Sequence, residues 1–379
     1  MGYASLHPSY ENQSSEQIEM SIKVLIVDDS ALMRKYLREV FAEDKRFVID
    51  TARDGKDALE HIAAFNPDVI TLDINMPIMD GLTCLSHIMT NSPKPVVMVS
   101  SLTEKGALAT FEALELGAVD YIPKPDGTVS HNIRQVGHLI REKVHAASQI
   151  KMRRSVGLKN RIQQEQKQQQ QATRAAPSTV RTEKKSSSVS ADGLILVGVS
   201  TGGPNTLEII LTALPADFPY PILVAQHMPS RFTSVFAERL NKICKLEVKE
   251  VSRPTPLLAG EVLIGRGDAD VVVSTRNGKP VALCVPSDEN YLWHPSVERM
   301  VKSAMEHYAA EQLIAVELTG MGNDGAFAMT SLHEQGGRTI AESEESAIVF
   351  GMPQALIEKG GADKVLHINR IAGQLMQWL

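Results

Sequence analysis

The chain has 379 residues, a hydrophobic content of 43% and a formal net charge of −6. This length exceeds one typical core and predicts two domains joined by a linker. No apolar run approaches the ~18 residues that would cross a membrane, and residues 1–21 lack the segments of a signal peptide, so we expect a polar extension and no membrane insertion. Three widely spaced cysteines without a CxxC pair predict reduced thiols in a cytoplasmic protein: Cys84, Cys244 and Cys284.

Residues 22–147 alternate short apolar runs with amphipathic stretches. The strand-like runs are 22–27, 47–51, 68–72, 95–99 and 118–122, and the helical ones are 31–43, 56–65, 82–90, 104–115 and 131–147. This order predicts an α/β domain with a five-stranded parallel (βα)5 sheet covered on both faces. Sites in such sheets lie beyond the carboxyl ends of the strands.

Polar side chains stand at those strand ends: Asp28, Asp29, Asp73, Ser100 and Lys124. Three converging carboxylates repel one another unless a hard cation such as Mg²⁺ lies between them. One carboxylate could then accept a phosphoryl group, whose oxygens the hydroxyl and the ammonium would contact. Helix capping explains Asp29 equally well by itself, but it does not explain all five residues together.

The same segment resembles bacterial response-regulator receivers. The motifs that carry the resemblance are Val27-Asp28-Asp29-Ser30, Leu72-Asp73-Ile74-Asn75-Met76-Pro77-Ile78-Met79-Asp80-Gly81, Val99-Ser100-Ser101 and Lys124-Pro125. The resemblance implies that Asp73 is the phosphoacceptor and that Asp28, Asp29 and Asp73 hold Mg²⁺. It also implies that Ser100 and Lys124 contact the phosphoryl group, that Tyr121 is the switch aromatic, and that a histidine kinase is the phosphodonor.

Residues 148–191 lose the apolar periodicity and are rich in glutamine, serine and basic residues. Within 151–190 the charge is about +8, which leaves the remainder of the chain near −14. A basic segment could bind nucleic acid or acidic lipid, but no aromatic residues are interleaved, and a solvated linker explains it as well. We therefore predict a linker and no nucleic-acid partner.

Residues 192–379 resume the alternation. Predicted strands lie near 193–199, 221–226, 262–265, 281–285, 313–318 and 338–341, and predicted helices near 204–213, 230–242, 296–309, 325–335 and 353–359. The pattern indicates a second, doubly wound αβα domain, with an antiparallel edge expected within 245–290.

Gly198-Val199-Ser200-Thr201-Gly202 follows the first of these strands and fits the G-x-S-x-G pattern of a nucleophile elbow. A glycine-rich turn before a helix also cradles phosphates, so this motif alone leaves both interpretations open. His227 and Asp324 likewise follow apolar runs, and Ser, His and Asp at three strand ends favour nucleophilic catalysis. The chain order Ser–His–Asp differs from that of α/β-hydrolases and indicates another scaffold.

This half resembles the catalytic domain of chemotaxis protein-glutamate methylesterases (CheB-type). The matching segments are Ser200-Thr201-Gly202-Gly203-Pro204, Gln226-His227-Met228-Pro229, Phe236-Ala237-Glu238-Arg239-Leu240-Asn241, Leu318-Thr319-Gly320-Met321-Gly322-Asn323-Asp324-Gly325 and Val349-Phe350-Gly351-Met352-Pro353. An upstream receiver is also the architecture of that family.

The resemblance implies that Ser200 attacks the methyl esters of receptor glutamates, with His227 as the base and Asp324 as its orienter. Amides near Thr201, Gly202 or Met321 would stabilise the oxyanion, and the same route would deamidate receptor glutamines. The implied partners are methylated chemoreceptor helices in chemotaxis adaptation. The implied catalytic domain needs no cofactor, and we expect a monomer.

Two segments depart from the family pattern: Gly265-Arg266-Gly267-Asp268-Ala269-Asp270 and Trp293-His294-Pro295-Ser296. They keep a second hypothesis open, a regulatory binding protein with a weak hydrolase domain that competes for a kinase or receptor. A transcriptional regulator that uses the basic linker is a third, although no helix-turn-helix stands out.

Overall fold

The computed structural model describes residues 21–124, 133–150, 152 and 192–379. The predicted extension over 1–21 and linker over 148–191 therefore lie outside the described residues, apart from 21, 148–150 and 152. Within the described residues, no helix is both long enough and apolar enough to cross a membrane.

In the described residues of the N-terminal unit, five strands and five helices alternate strictly. In chain order they are β1 Ile22–Val27, α1 Ala31–Ala42, β2 Phe47–Ala52, α2 Gly55–Phe65, β3 Val69–Asp73, α3 Gly81–Asn91, β4 Val96–Ser100, α4 Glu104–Leu116, β5 Asp120–Pro123 and α5 Ile133–Ser148. The strands pair in parallel in the order β2-β1-β3-β4-β5, as predicted. Short polar side chains begin four of the helices by accepting backbone amides: Ser30, Asp54, Asp80 and Thr103.

Over residues 192–379, the C-terminal unit contains ten strands and six α-helices, and seven of the strands form one large sheet. Its strands are β6 Leu194–Val199, β7 Ile222–Gln226, β8 Glu247–Val251, β9 Thr255–Pro256, β10 Glu261–Gly265, β11 Ala269–Arg276, β12 Lys279–Pro286, β13 Leu313–Glu317, β14 Arg338–Glu342 and β15 Lys364–Leu366. Its helices are α6 Gly203–Ala213, α7 Ser230–Ile243, α8 Val297–Met305, α9 Ala326–Glu334, α10 Met352–Glu358 and α11 Ile368–Trp378. The large sheet has the order β15-β14-β13-β6-β7-β10-β8, with every pairing parallel.

The segment predicted as an antiparallel edge divides between two sheets. β11, β12 and β9 form a separate three-stranded antiparallel sheet, whereas β8 and β10 join the large sheet in parallel. The prediction missed β8, whose short alternation of charged residues and valines is typical of an edge strand. The predicted helix at 296–309 ends earlier, at Met305.

The order of the large sheet reverses at β6, which lies between β13 and β7. Ser200 directly follows β6, His227 follows β7, and Asp324 lies in the loop after β13. Three adjacent strands therefore deliver the three predicted catalytic residues to one edge, at the switch point where doubly wound sheets form their sites.

Candidate active site and phosphorylation site

Ser200 lies in a tight turn between β6 and α6. Its amide donates to the Thr319 carbonyl (2.9 Å), and its own carbonyl accepts from the Gly203 amide (2.9 Å). Gly202 has a φ of +79°, and a Cβ there would lie 2.6 Å from Ile348. Glycine is thus required for the turn that presents the serine.

His227 and Asp324 form the second part of the cluster. The His227 Nε2 lies 2.9 Å from an Asp324 carboxylate oxygen, and both side chains are almost fully buried. Among the described residues, no group hydrogen-bonds to the His227 Nδ1. The imidazole therefore has one nitrogen held by the carboxylate and one available for a proton.

The side chain of Asp324, from the loop after β13, contacts the N-terminus of α8. Its carboxylate accepts the amides of Val297 (2.7 Å) and Glu298 (3.0 Å) and the hydroxyl of Ser296 (3.1 Å). Desolvation by burial would raise the pKa of Asp324, but the hydrogen bond from His227 and these amides together lower it below the ordinary value. The group stays an anion that can orient and stabilise an imidazolium.

The three predicted oxyanion residues border Ser200. Thr201 and Gly202 follow it in the turn, and Met321 follows Gly320, where a Cβ would lie 2.8 Å from the Cβ of Ser200. The carbonyl of Thr201 accepts the Thr319 hydroxyl (2.9 Å), which ties the β6 turn to the β13 loop. The β6 turn and the β13 loop thus both border the serine.

The two segments that depart from the family pattern, 265–270 and 293–296, meet in a polar cluster next to Asp324. The carboxylate of Asp270 is fully buried and contacts His294 Nδ1 (2.9 Å), the Ser296 amide (2.8 Å) and Arg299 (2.7 Å). Burial opposes its ionisation, yet His294, Ser296 and Arg299 lower the pKa of Asp270. The sequence pattern gave no indication that this region supports α8.

Two further residues of the site, Gln226 and Trp293, were not predicted from the sequence to have a role there. Gln226 donates its side-chain amide to the Ser200 carbonyl (2.9 Å). Trp293 stacks on His227 with ring centroids 5.5 Å apart and an angle of 14° between the planes. Gln226 adjoins the predicted histidine, which was a usable signal, whereas nothing in the pattern around Trp293 indicates where its ring points.

The acidic residues of the N-terminal sheet also converge. Candidate ligand atoms of Asp28, Asp29 and Asp73 all lie within 4.8 Å of one another. The Lys124 ammonium lies 3.0 Å from Asp28 and 2.9 Å from Asp73. Burial raises the pKa of Asp73 more than the contact with Lys124 lowers it, and the neighbouring Asp28 raises it further.

The side chains of Ser100 and Tyr121 contact residues outside that cluster. The Ser100 hydroxyl donates to the Gly106 carbonyl of α4 (3.2 Å). Tyr121 is buried and stacks on Phe232 of α7 at 4.6 Å between ring centroids. Ser100 therefore contacts α4 of its own domain, and Tyr121 contacts α7 of the C-terminal unit.

The two units share an interface next to Ser200. The Thr201 hydroxyl donates to the Asp120 carboxylate (2.7 Å), which also pairs with Lys143 (2.9 Å). Phe111 of α4 stacks on Phe236 at 5.5 Å and meets Phe232 edge-on at 6.3 Å. These contacts, which the sequence pattern does not predict, reach Thr201, the residue next to the proposed nucleophile.

The side chains at the rim of this interface are polar. Asn205 of α6 donates to the Leu114 carbonyl (3.1 Å), and Arg239 of α7 pairs with Glu115 of α4 and with Glu208 (3.0 Å). Desolvation would lower the pKa of Arg239, but these carboxylates raise it overall.

Both the N-terminal and the C-terminal half of the chain are similar to known proteins. The family profile described as CheB methylesterase matches residues 195–375, and the profile of the response regulator receiver domain matches residues 24–131. The chain is 52% identical over 361 residues to the protein-glutamate methylesterase/protein-glutamine glutaminase 3 of Rhodospirillum rubrum, which covers 94% of this chain and 96% of that protein. The chain is also 50% identical over 358 residues to the protein-glutamate methylesterase/protein-glutamine glutaminase 2 of Rhodopseudomonas palustris. This match covers 94% of this chain and 98% of that protein.

A solved structure is similar as well. The crystal structure of the Thermotoga maritima CheB methylesterase catalytic domain is 39% identical and covers 50% of this chain and 100% of that chain, with a TM-score of 0.48. With relatives this similar over nearly its whole length, the chain belongs to the CheB family of receiver-linked protein-glutamate methylesterase/protein-glutamine glutaminases.

Proposed function

We propose that this chain is a phosphorylation-activated hydrolase that removes methyl groups from glutamate γ-methyl esters of chemoreceptors and deamidates receptor glutamines during chemotaxis adaptation. The observation that carries the proposal is the meeting of Ser200, His227 and Asp324 at three adjacent strand ends, with His227 held 2.9 Å from Asp324. Relatives named for both activities support it.

In the proposed mechanism, the Ser200 hydroxyl attacks the γ-carbonyl carbon while His227 takes the hydroxyl proton. Since Nε2 faces Asp324, the accepting nitrogen is Nδ1. The tetrahedral oxyanion collapses, the bond to the methoxy group breaks, and His227 returns the proton so that methanol leaves. Water then attacks the acyl-serine with His227 as base, which frees glutamate and Ser200; a glutamine side chain releases ammonia by the same route.

The charges of the site fit this sequence of steps. Asp324 is anionic, so it stabilises the imidazolium that forms when Ser200 loses its proton. Amides of Thr201, Gly202 or Met321 are our candidates for the oxyanion hole. General bases contribute typically ~10²–10⁴-fold and an oxyanion donor ~10²–10³-fold in such enzymes.

We further propose Asp73 as the phosphoacceptor. Asp28, Asp29 and Asp73 suit a hard divalent cation, because their carboxylate oxygens lie within 4.8 Å of one another and Asp28 and Asp73 are buried. Bound Mg²⁺ would neutralise phosphoryl oxygens and make Asp73 a competent nucleophile. Lys124 already contacts Asp73 and would pair with the phosphoryl group, and Ser100 would move toward it.

The contacts between the domains suggest how phosphorylation gates the esterase. Asp120 and Phe111 hold the receiver domain against Thr201 and α7. When the Ser100 hydroxyl leaves the Gly106 carbonyl for a phosphoryl oxygen, α4 loses a tie at its N-terminal turn. We infer that α4 then shifts and frees the cleft beside Ser200.

The partners in this proposal are a chemotaxis histidine kinase and the methylated helices of chemoreceptors. The place of action is the cytoplasm, which the three free cysteines support.

The test is methanol release from a methylated chemoreceptor fragment, with Mg²⁺ and a small phosphodonor. Native chain should release methanol, and Ser200→Ala should release none above background. If neither protein releases methanol although Asp73 is phosphorylated, the esterase proposal fails for this substrate. A receptor-binding regulator without turnover would then explain the chain better.

A further inference from the structure

Trp293 lies against the face of the proposed catalytic histidine. Its ring is nearly parallel to that of His227, and the 5.5 Å between centroids is typical of offset stacking. On another side it borders the β13 loop, since a Cβ on Gly322 would lie 3.4 Å from the indole Nε1. The indole thus fills the space between the histidine and the loop that carries Asp324.

The segment that carries Trp293 is anchored on two carboxylates. His294 binds Asp270 through Nδ1 (2.9 Å), and the Ser296 amide binds the same carboxylate oxygen (2.8 Å). The Ser296 hydroxyl then donates to Asp324 (3.1 Å). The indole is therefore fixed relative to the carboxylate that holds the edge of His227.

Two contacts hold the imidazole. Asp324 fixes its edge through Nε2, and Trp293 covers its face. Rotation of the ring about its Cβ–Cγ bond would break both contacts. An indole face also attracts a cation, so it stabilises the imidazolium that forms during the reaction more than the neutral ring.

We propose that Trp293 is a positioning residue for His227, which raises the rate of the chemical step and does not serve to bind the receptor; this inference rests on the function proposed above. Trp293 acts through His227 and does not touch the reacting ester.

Steady-state kinetics on the phosphorylated full chain test this inference. Trp293→Leu removes the aromatic face, and Trp293→Phe keeps it. A cation–π contact of this kind corresponds to about 2- to 30-fold in rate. We expect Trp293→Leu to lower kcat by such a factor with KM within about twofold, and Trp293→Phe to recover most of the loss.

The matched control is Leu292→Ala, which changes the exposed neighbour on the same loop and should leave both constants unchanged. A raised KM with unchanged kcat in Trp293→Leu would make Trp293 a substrate contact and overturn the proposal. Equal losses in the Leu and Phe variants would also overturn it, because the aromatic face would then be irrelevant.

Fluorescence tests the stack without altering Trp293. The chain has two tryptophans, so Trp378→Phe leaves Trp293 as the remaining one. Because His227 covers one face of the indole, adding His227→Ala should change the emission of Trp293, and unchanged emission would contradict the stack. This readout needs no turnover, whereas failure of the proposed function would appear as absent methanol release by the native chain.

Discussion

Phe111 of the receiver domain packs against two aromatic rings of the catalytic domain, and its replacement should release the esterase without phosphorylation. The side chain is 3% exposed and contacts Phe236 and Phe232. Each aromatic pair contributes about 0.5–1.5 kcal/mol beyond the burial of its area. Phe111→Ala should therefore destabilise the closed arrangement by about 2 kcal/mol or more, which is roughly a 30-fold shift toward the open form.

The assay is methanol release by the full chain without a phosphodonor. We expect Phe111→Ala to raise this basal rate by roughly 30-fold, up to the limit set by the phosphorylated native protein. The matched control is Leu108→Ala on the same helix, since Leu108 is exposed and should leave the basal rate unchanged.

A fully phosphorylated rate equal to that of the native chain would show that the variant is folded and that its catalytic site is intact. If Phe111→Ala met that condition and its basal rate stayed within twofold of the native rate, closure by this interface would not be what restrains the enzyme.

Three further results follow from the site. Chelation of divalent cations should abolish stimulation by a phosphodonor and leave the basal rate intact, because Asp28, Asp29 and Asp73 belong to the receiver domain alone; loss of the basal rate would contradict this. Asp324→Asn should lower kcat by about 10²–10⁴-fold with little change in KM, since it removes the charge beside the imidazolium, and a change confined to KM would refute the assignment. Burial first, and then Asp324 and Glu298, raise the pKa of Glu317 well above its ordinary 4.5. The stability that this protonated acid contributes is full below pH 4.5 and is lost as the pH rises toward the folded pKa. Glu317→Gln should therefore increase the free energy of unfolding, relative to the native chain, more at about pH 8 than at about pH 4, as measured by denaturant unfolding. A difference in unfolding free energy that is independent of pH would count against a neutral Glu317.

The alternation of strands and helices was predictable because buried parallel strands read as short apolar runs. The same reasoning placed Ser200, His227 and Asp324 together, since residues after adjacent strands share one edge of a sheet. α11 was missed although Ile368, Ile371, Ala372 and Leu375 repeat at helical spacing, so its signal was present in the sequence.

Other features had no local signal. The bond from Thr201 to Asp120 joins residues 81 positions apart in different domains, and it depends on how those domains pack. The stack of Trp293 on His227 depends on the route of a loop that Asp270 anchors from behind. Periodicity describes which residues are buried, but it does not describe which distant partners they meet.

The most direct test of the account is methanol release from methylated chemoreceptor, compared with and without a phosphodonor for native chain, Ser200→Ala and Asp73→Asn. We expect release by the native chain that the phosphodonor stimulates, no release by Ser200→Ala, and an unstimulated basal rate for Asp73→Asn. Equal release by the native chain and Ser200→Ala would contradict the serine mechanism, and stimulation of Asp73→Asn equal to that of the native chain would contradict the proposed switch.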